Sequence, residues 1–330
     1  MSRTVSIVGA GRVGISLAKH LREAGWRIGA VVTRSQSTAR AAVRRIGAGM
    51  PVAFEDVRAL VPGAKARTTS PFFAGLKPRA STRLRTFVEA KTLRAFDLIL
   101  FATPDDAMPA VAQSLADALR SAAGPRALRD RVVLHTSATL DRSVLAPLAQ
   151  LGAATGSLHP MQAFGGKVMP KLGGVIFGIE GDAKARRTAQ SIAKSLGGIP
   201  VAIETSDKPA YHAAAVMAGG SIYPVLEAGL QLLISIGFTR QRASQTLLPL
   251  LRQIFDNIER IGPRAAWTGP LSRGDYAVVA RHMKALRRYP PEFGESYAAL
   301  AKLAAQVLAK DPAAMRKPLA RALAEGKRPG

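Results

Sequence analysis

A glycine-rich turn between a strand and a helix constrains the fold of this chain more than any other feature. The apolar run at residues 5–8 ends directly at the turn, and residues 15–24 then carry apolar side chains at helical spacing. A second apolar run, residues 28–33, follows the helix. This order predicts a βαβ unit and therefore a parallel sheet. The turn itself consists of Gly9, Ala10, Gly11, Arg12, Val13 and Gly14.

The spacing of the three glycines suits the binding of a dinucleotide. The turn must be tight, its backbone must approach a pyrophosphate closely, and the amino terminus of the following helix must face the negative charge. The position of the turn between a strand and a helix is the context that this chemistry requires. We therefore expect all six turn residues to bind a cofactor. The alternative is a glycine-rich turn that binds no ligand.

The end of the second strand distinguishes the two nicotinamide cofactors. A carboxylate there would bond the ribose 2′-hydroxyl of NAD, whereas arginine accommodates the 2′-phosphate of NADP. Residues 24–54 contain no Asp or Glu, and Thr33, Arg34 and Ser35 offer hydroxyls and a guanidinium group instead. The sequence predicts NADP, with these three residues at the cofactor. The alternative is that Arg34 and the nearby Arg40 are ordinary surface arginines.

The alternation of strands and helices continues beyond the βαβ unit. Apolar strands are predicted at residues 97–102, 131–135, 173–179 and 199–203, with helices up to residue 120 and over residues 183–196. A basic insertion at about residues 62–94 interrupts the pattern. Ligands of an open parallel sheet bind at the carboxyl ends of its strands. We therefore expect four further residues at the cofactor: Thr103, Pro104, Thr136 and Ser137.

After residue 204 the apolar period becomes helical. Helices are predicted at residues 207–236, 241–261, 275–288 and 291–309, followed by a basic tail to Gly330. The predicted fold class is α/β, with a Rossmann-like doubly wound, mainly parallel sheet over residues 1–204 and an all-helical domain over residues 205–330. Residues 213–238 contain one charge, Glu227, and are long enough to cross a membrane. Polar residues, glycines and a proline interrupt them, so we expect a buried helix and no membrane.

The charge balance is strongly basic. The chain has 47 Lys and Arg against 22 Asp and Glu, a net charge of +25, which suits nucleic acid, acidic surfaces or anionic small molecules. Because no recognition motif accompanies the charge, we expect no specific nucleic-acid partner. The absence of cysteine excludes disulfides and thiolate sites, and the scattered histidines predict no metal. A cytoplasmic protein is expected, since the amino terminus lacks the pattern of a signal peptide.

Three motifs carry a resemblance to known proteins: LHPMQAF at residues 158–164, KPAYHAA at residues 208–214 and TGPLSRGD at residues 268–275. They resemble a bacterial branch of two-domain Rossmann-like oxidoreductases with a largely uncharacterised helical carboxyl-terminal domain. That branch is similar to ketopantoate reductases, pyrroline-5-carboxylate reductases and 6-phosphogluconate dehydrogenase-like hydroxyacid dehydrogenases. The resemblance implies a homodimeric NADPH-dependent reductase of a small anionic carbonyl compound, with ketopantoate or a related 2-oxo acid as the first choice.

In the hydroxyacid dehydrogenases, the first helix of the second domain carries a catalytic Lys and, three or four residues later, an Asn. Lys208 matches the Lys, whereas Tyr211 and His212 occupy the place of the Asn. These three residues share one helical face. By resemblance Lys208 is the first choice of proton donor, and His212 can do the same work because histidine has a reference pKa nearer neutrality. The alternatives are that His212 is a buried, satisfied helix histidine and that Lys208 only caps or solvates the helix start.

The predicted substrate-binding residues are His159, Tyr211, Arg273 and Asp275, with Arg273 pairing a carboxylate. The alternative for Arg273 and Asp275 is an ordinary salt bridge with a helix cap.

Two alternatives stay open beside the carbonyl reductase. One is a reductase of cyclic imines, as in the pyrroline carboxylate relatives. The other is a non-catalytic NADP-binding sensor or a nucleic-acid-associated protein. The Lys208 motif favours an enzyme, whereas the missing Asn and the excess of positive charge keep the sensor open.

Overall fold

The computed structural model describes residues 3–54, 97–165 and 168–325. The predicted basic insertion at about residues 62–94 lies outside the described residues. The chain divides into two compact units, Met1–Gly220 and Ser221–Gly330. The boundary predicted at residue 204 therefore stays a prediction, and the compact division comes after the helix that begins at Lys208.

The first unit contains an eight-stranded sheet in the order β3-β2-β1-β4-β5-β6-β7-β8. All neighbouring pairs are parallel except β6 and β7. This confirms the predicted doubly wound, mainly parallel sheet, although β3 and β6 were not predicted as strands. The strands are β1 Thr4–Val8, β2 Arg27–Thr33, β3 Met50–Ala53, β4 Leu98–Phe101, β5 Val132–His135, β6 Ala154–Pro160, β7 Ile176–Gly181 and β8 Ile199–Ala202.

Helices cover both faces of the sheet, which explains why the central strands are apolar without alternation. On one face Phe101 packs with Met108 and Leu115 of the helix after β4. On the other, Ile7 packs with Leu17 of the helix after the glycine turn. The helices of this unit are α1 Arg12–Glu23, α2 Gln36–Ile46, α3 Met108–Ala123, the short α4 Ala146–Ala149, α5 Ala183–Ser195 and α6 Lys208–Ala215.

The second unit is helical, as predicted. Its core contains Val279, Met283, Ala301, Leu319 and Leu323. The helices are α7 Ile222–Ser235, α8 Arg240–Ile261, the short α9 Pro263–Ala266, α10 Tyr276–Leu286, α11 Pro291–Val307 and α12 Pro312–Glu325.

The basic tail predicted after residue 309 contains a helix that was not predicted. Helix α12 begins at Pro312, where the missing N–H of proline costs no hydrogen bond. Leu319, Ala322 and Leu323 recur at helical spacing on its buried side and join the core. In the sequence, the basic residues Arg316, Lys317 and Arg321 interrupt the spacing of these apolar positions, so the helical pattern was not recognised.

The long apolar stretch differs from its prediction in two ways. The helix predicted over residues 207–236 consists of α6, a π-helical turn at Val216–Gly220, and α7. The expected burial is also wrong within this chain, because only 6% of the apolar window in Thr205–Ser235 is buried. Among the described residues, this is the one helical stretch long and apolar enough to cross a membrane by length and composition.

Candidate functional site

A cavity of about 730 Å³ lies at the carboxyl ends of the first unit's parallel strands. The glycine turn, the ends of β2, β4 and β5, and three residues further along the chain line it. Eleven of the thirteen predicted cofactor residues belong to this lining: Gly9, Ala10, Gly11, Arg12, Val13, Thr33, Arg34, Thr103, Pro104, Thr136 and Ser137. The structure also brings His159, Phe164 and His212 to the same cavity.

The two predicted residues outside the lining, Gly14 and Ser35, support residues inside it. A Cβ on Gly14 would lie 2.1 Å from the carbonyl oxygen of Gly9. Gly9 has a φ of +93° and would itself bring a Cβ to 2.6 Å from the Thr103 nitrogen. The middle glycine differs, because no atom lies within 4 Å of a Cβ on Gly11. The first and last glycines therefore close the turn, and the middle one leaves open backbone beside the cavity.

The amino terminus of α1 faces this turn without a side-chain cap. Gly11 occupies the N-cap position and no side chain accepts a hydrogen bond from the first helical amides. Uncapped N–H groups at a helix start, together with the helix dipole, favour an anion. The turn thus has the backbone that a pyrophosphate requires.

Hydroxyl groups cluster where β2 gives way to α2. Ser35 is the N-cap of α2, and its Oγ lies 3.0 Å from Ser37 Oγ and 2.9 Å from Thr38 Oγ1. Thr38 and the exposed Arg34 line the cavity. Hydroxyls and a guanidinium group at a helix amino terminus are donors that suit a phosphate.

The cavity lining also contains a carboxylate. Asp105 Oδ2 accepts hydrogen bonds from Ser137 Oγ at 2.6 Å and from Thr139 Oγ1 at 2.7 Å. Among the described residues that line the cavity, Asp105 is the single acidic one. The sequence interpretation missed it, although it directly follows the predicted Pro104. The available signal was a polar residue at each of two neighbouring strand ends.

His159 and Tyr211 form a pair at the cavity. His159, on β6, places Nδ1 3.2 Å from the Tyr211 hydroxyl, and the two rings meet edge to face with centroids 5.5 Å apart. Burial lowers the pKa of His159 to about 4, and the positive charges possible on His212 and Lys208 add to this effect. Burial also raises the pKa of Tyr211. At neutral pH both side chains are therefore uncharged.

Lys208 is buried, with 3% of its surface exposed, and is not among the residues that line the cavity. Its Nζ donates a hydrogen bond to Ser157 Oγ at 2.9 Å. Ser157 lies opposite His135 on β5 and opposite Glu180 on β7, so three polar side chains cross three strands in one row. Burial lowers the pKa of Lys208, opposed most strongly by Glu180. Burial raises the pKa of Glu180, opposed most strongly by Lys208.

The predicted catalytic and substrate residues thus occupy different places. His159 and His212 line the cavity, Tyr211 contacts His159, and Lys208 lies on the strand row. Arg273 and Asp275 belong to the second unit. There Asp275 is the N-cap of α10 and accepts a hydrogen bond from the Val278 amide at 3.3 Å. Their role toward a substrate stays a prediction.

Two domain models match the sequence. Residues 44–160 match a Rossmann-like domain, and residues 175–304 match DUF2520, a domain of unknown function. The chain pairs a Rossmann-like domain with a DUF2520 domain. The DUF2520 match begins at the last two strands of the sheet and extends through most of the helical unit. The sequence matches no curated protein.

Solved structures share the fold over nearly the whole chain. A Bacteroides fragilis protein classed as an NADP oxidoreductase is 20% identical, with a TM-score of 0.65 over 91% of this chain and 97% of that one. A reductive aminase from Aspergillus terreus, in complex with NADPH and ethyl levulinate, is 16% identical, with a TM-score of 0.61 over 96% and 99%. Pyrroline carboxylate reductase from Plasmodium falciparum, with NADP bound, is 12% identical, with a TM-score of 0.53 over 98% of each chain. Identities this low establish the common fold alone.

Proposed function

We propose that this protein is an NADPH-dependent reductase of a small compound with a C=O or C=N bond. One observation carries the proposal. The glycine turn and Arg34 line the same cavity as three polar side chains: Asp105, His159 and His212. NADP and NADPH complexes among the proteins of similar fold support the cofactor.

The lining residues fit this cofactor on structural grounds. The turn offers uncapped amides to the pyrophosphate, and the hydroxyl cluster with Arg34 offers donors to the 2′-phosphate. Thr103 Oγ1 is buried at the cavity and has no hydrogen-bond partner among the described residues. A bound ligand would give this hydroxyl a partner. When bound, NADPH supplies the hydride.

Reduction of a polar double bond also requires a proton at the heteroatom of the substrate. His212 is the proton donor in this proposal, because it lines the cavity. Lys208 is a positioning residue, because its ammonium is buried on Ser157 and not among the lining residues. Its neighbouring charge would lower the proton affinity of His159, as the pKa of that ring indicates.

The charge of the lining favours a C=N substrate over an anionic one. Among the described residues of the lining Asp105 is the one carboxylate, and it can accept a hydrogen bond from a protonated imine. The lining cations Arg12 and Arg34 belong to the glycine turn and the β2 end, where the cofactor phosphates are proposed to bind. An anionic 2-oxo acid such as ketopantoate would therefore need a cation from outside this described lining.

The fall in NADPH absorbance during a reaction measures reductase activity and so tests this proposal directly. Purified protein is mixed with NADPH and a panel of cyclic imines, ketones with added amines, and 2-oxo acids including ketopantoate. We expect turnover of at least one class, with imines ahead of 2-oxo acids. NADPH binding without turnover of any class would favour the sensor alternative.

Asp105→Asn should change substrate preference more than cofactor binding. The amide keeps the shape and accepts hydrogen bonds from Ser137 and Thr139, but it removes the charge. We expect kcat/KM for protonated imines to fall about tenfold or more, since a charge-assisted hydrogen bond contributes about 1.5–3 kcal/mol. The value for 2-oxo acids should hold or rise. Equal losses on both substrate classes would contradict the assignment.

Arg34→Asp should reverse the preference for NADPH. The guanidinium lies at the cavity beside the hydroxyl cluster, and a carboxylate there would repel a 2′-phosphate and bond a ribose hydroxyl. Titration of both cofactors followed by fluorescence gives the affinity ratio. Arg40→Asp, outside the lining, is the matched control and should leave the ratio nearly unchanged. An unaltered protein that binds NADH and NADPH equally would refute the NADP assignment.

We also propose a cytoplasmic homodimer formed through the helical unit. Tyr223 on α7 is 66% exposed, and Leu250 and Phe255 on α8 are 55% and 50% exposed. Exposed apolar surface of this kind marks an interaction site. Sedimentation should give a dimer without detergent, and Leu250→Glu with Phe255→Glu should give a folded monomer. A monomeric unaltered protein, or one that sediments with vesicles, would contradict the dimer.

A further inference from the structure

A fully buried histidine ends strand β5, directly before the loop that holds Asp105. His135 is 0% exposed and is not among the residues that line the cavity. We propose that His135 positions the Asp105 carboxylate at the cavity: its ring accepts a hydrogen bond from the amide of Ser137, and the hydroxyl of Ser137 holds the carboxylate. This inference rests on the proposed reductase function, in which Asp105 contacts the substrate.

The first bond of this chain of contacts has one possible direction. The backbone N–H of Ser137 lies 3.2 Å from His135 Nδ1, in a buried position. A backbone amide can only donate, so Nδ1 is the acceptor and carries no proton. A ring turned by 180° would place a carbon atom at the amide instead, and a buried N–H without an acceptor costs free energy. Among the described residues, Nδ1 is the one acceptor of this amide.

The hydroxyl of Ser137 also has a defined direction. Its oxygen accepts hydrogen bonds from the amides of Thr139 at 3.1 Å and Leu140 at 3.0 Å. A hydroxyl oxygen has two lone pairs and one proton, and the two amides occupy the lone pairs. The hydroxyl proton is therefore directed to Asp105 Oδ2, 2.6 Å away. That distance is typical of a hydroxyl that donates to a carboxylate.

The surroundings keep the His135 ring neutral, so that Nδ1 can accept. Burial lowers the pKa of His135 to about 4, and the positive charge of Lys208 on α6 adds to this effect. The backbone and carboxylate of Asp141 and the carboxylate of Asp105 oppose it. The ring is therefore uncharged at neutral pH. A proton on Nδ1 would face the N–H of Ser137 and break the bond.

Asp105 depends on this support because it is itself exposed. The hydroxyls of Ser137 and Thr139 hold its Oδ2 at the cavity. Thr139 is exposed as well, whereas Ser137 is 6% exposed and is tied by its amide to the buried His135. The histidine therefore anchors the carboxylate to the sheet. Without this anchor, the loop after β5 would be free to turn the Ser137 hydroxyl away from Asp105.

Asparagine and leucine at position 135 form a matched pair of variants. Their side chains are similar in size and shape, and both remove the ring. An asparagine Oδ1 accepts from the amide two residues later in Asx turns, whereas leucine has no acceptor. His135→Asn should therefore keep a bond to the Ser137 amide and His135→Leu should lose it. The loss of ring packing is common to both variants.

Two measurements test the bond without a substrate. Long-range proton–nitrogen NMR of ¹⁵N-histidine protein at pH 7 should show His135 protonated on Nε2 alone, with its signals identified by their loss in His135→Asn. Hydrogen exchange of the Ser137, Thr139 and Leu140 amides should be about tenfold faster in His135→Leu and nearly unchanged in His135→Asn. The amide of Thr4, which also donates to a side chain, at 2.9 Å, is the control and should exchange equally in all three proteins.

Kinetics tests the effect on Asp105. His135→Leu should lower kcat/KM for protonated imines about tenfold, as expected for Asp105→Asn, and His135→Asn should restore most of the loss. The double variant His135→Leu with Asp105→Asn should lose no more than Asp105→Asn alone, because the carboxylate that the histidine positions is already gone.

A His135 ring protonated on Nδ1 in the unaltered protein would overturn the inference. Equal amide exchange in the asparagine and leucine variants would also overturn it, as would losses that add fully in the double variant. If His135→Leu does not fold, the tautomer in the unaltered protein and the exchange rates of His135→Asn decide the question. If no substrate is turned over, the proposed function fails, and the NMR and exchange results still decide whether His135 holds Ser137.

Discussion

Gly14→Ala should lower NADPH affinity by about a hundredfold or more, which corresponds to about 3 kcal/mol. The new methyl group would lie 2.1 Å from the carbonyl oxygen of Gly9. The Gly9 backbone cannot move away easily, because Gly9 has a φ of +93° and packs against the backbone of Thr103. The turn must therefore open, and its amides leave the positions that a pyrophosphate requires. Fluorescence titration with NADPH measures the loss, and thermal unfolding measures the accompanying strain.

Two further glycine variants separate the loss of NADPH affinity from the loss of stability. Gly11→Ala introduces a methyl where no protein atom lies within 4 Å, so the free protein should keep its unfolding temperature while NADPH binds roughly tenfold more weakly. Gly173→Ala also meets no neighbouring atom and lies outside the cavity lining, so it should change neither quantity. A Gly14→Ala protein that binds NADPH normally would refute the role of the turn.

Lys208→Met should destabilise the first unit by about 1–3 kcal/mol, because it removes the hydrogen bond that the buried ammonium donates to Ser157 and the positive charge that opposes the effect of burial on Glu180. Methionine keeps much of the length and apolar surface of the lysine stem, so lost packing contributes little. We also expect kcat to fall about a hundredfold, since Ser157, on the same strand as His159, would lose its hydrogen bond to this buried lysine. Chemical denaturation measures the first effect and NADPH consumption the second.

The double variant Lys208→Met with Glu180→Gln distinguishes charge from catalysis. Removing both charges should recover much of the lost stability, as a double-mutant cycle would measure. If kcat recovers with stability, Lys208 acts through the structure of the strand row. If stability recovers while kcat stays a hundredfold down, Lys208 itself takes part in proton transfer, and the proposal that His212 is the donor would be wrong.

The sequence determined those parts of the protein that depend on local pattern. The segment from β1 through the glycine turn to β2 could be predicted because the strands and the helix show their own apolar patterns and the glycines mark the turn. The carboxyl ends of parallel strands also meet at one edge of the sheet. For the same reason, eleven predicted cofactor residues line one cavity. The strands β3 and β6 escaped prediction, since β3 has only four residues and since polar residues and a glycine outnumber the apolar ones in β6, so neither carries a clear period.

Only the tertiary structure decided which side chains act together. His135, Ser157 and Glu180 lie on three different strands, and their common row depends on strand register, which no local pattern specifies. Ser157 of that row accepts a hydrogen bond from Lys208. Lys208 is therefore not among the residues that line the cavity, although it shares a helical face with His212, which is. Asp105 joins the site in the same way, because hydroxyls from the end of a neighbouring strand hold its carboxylate. Sequence periodicity reports which face of an element is buried, whereas the contacts across that face depend on how distant elements pack.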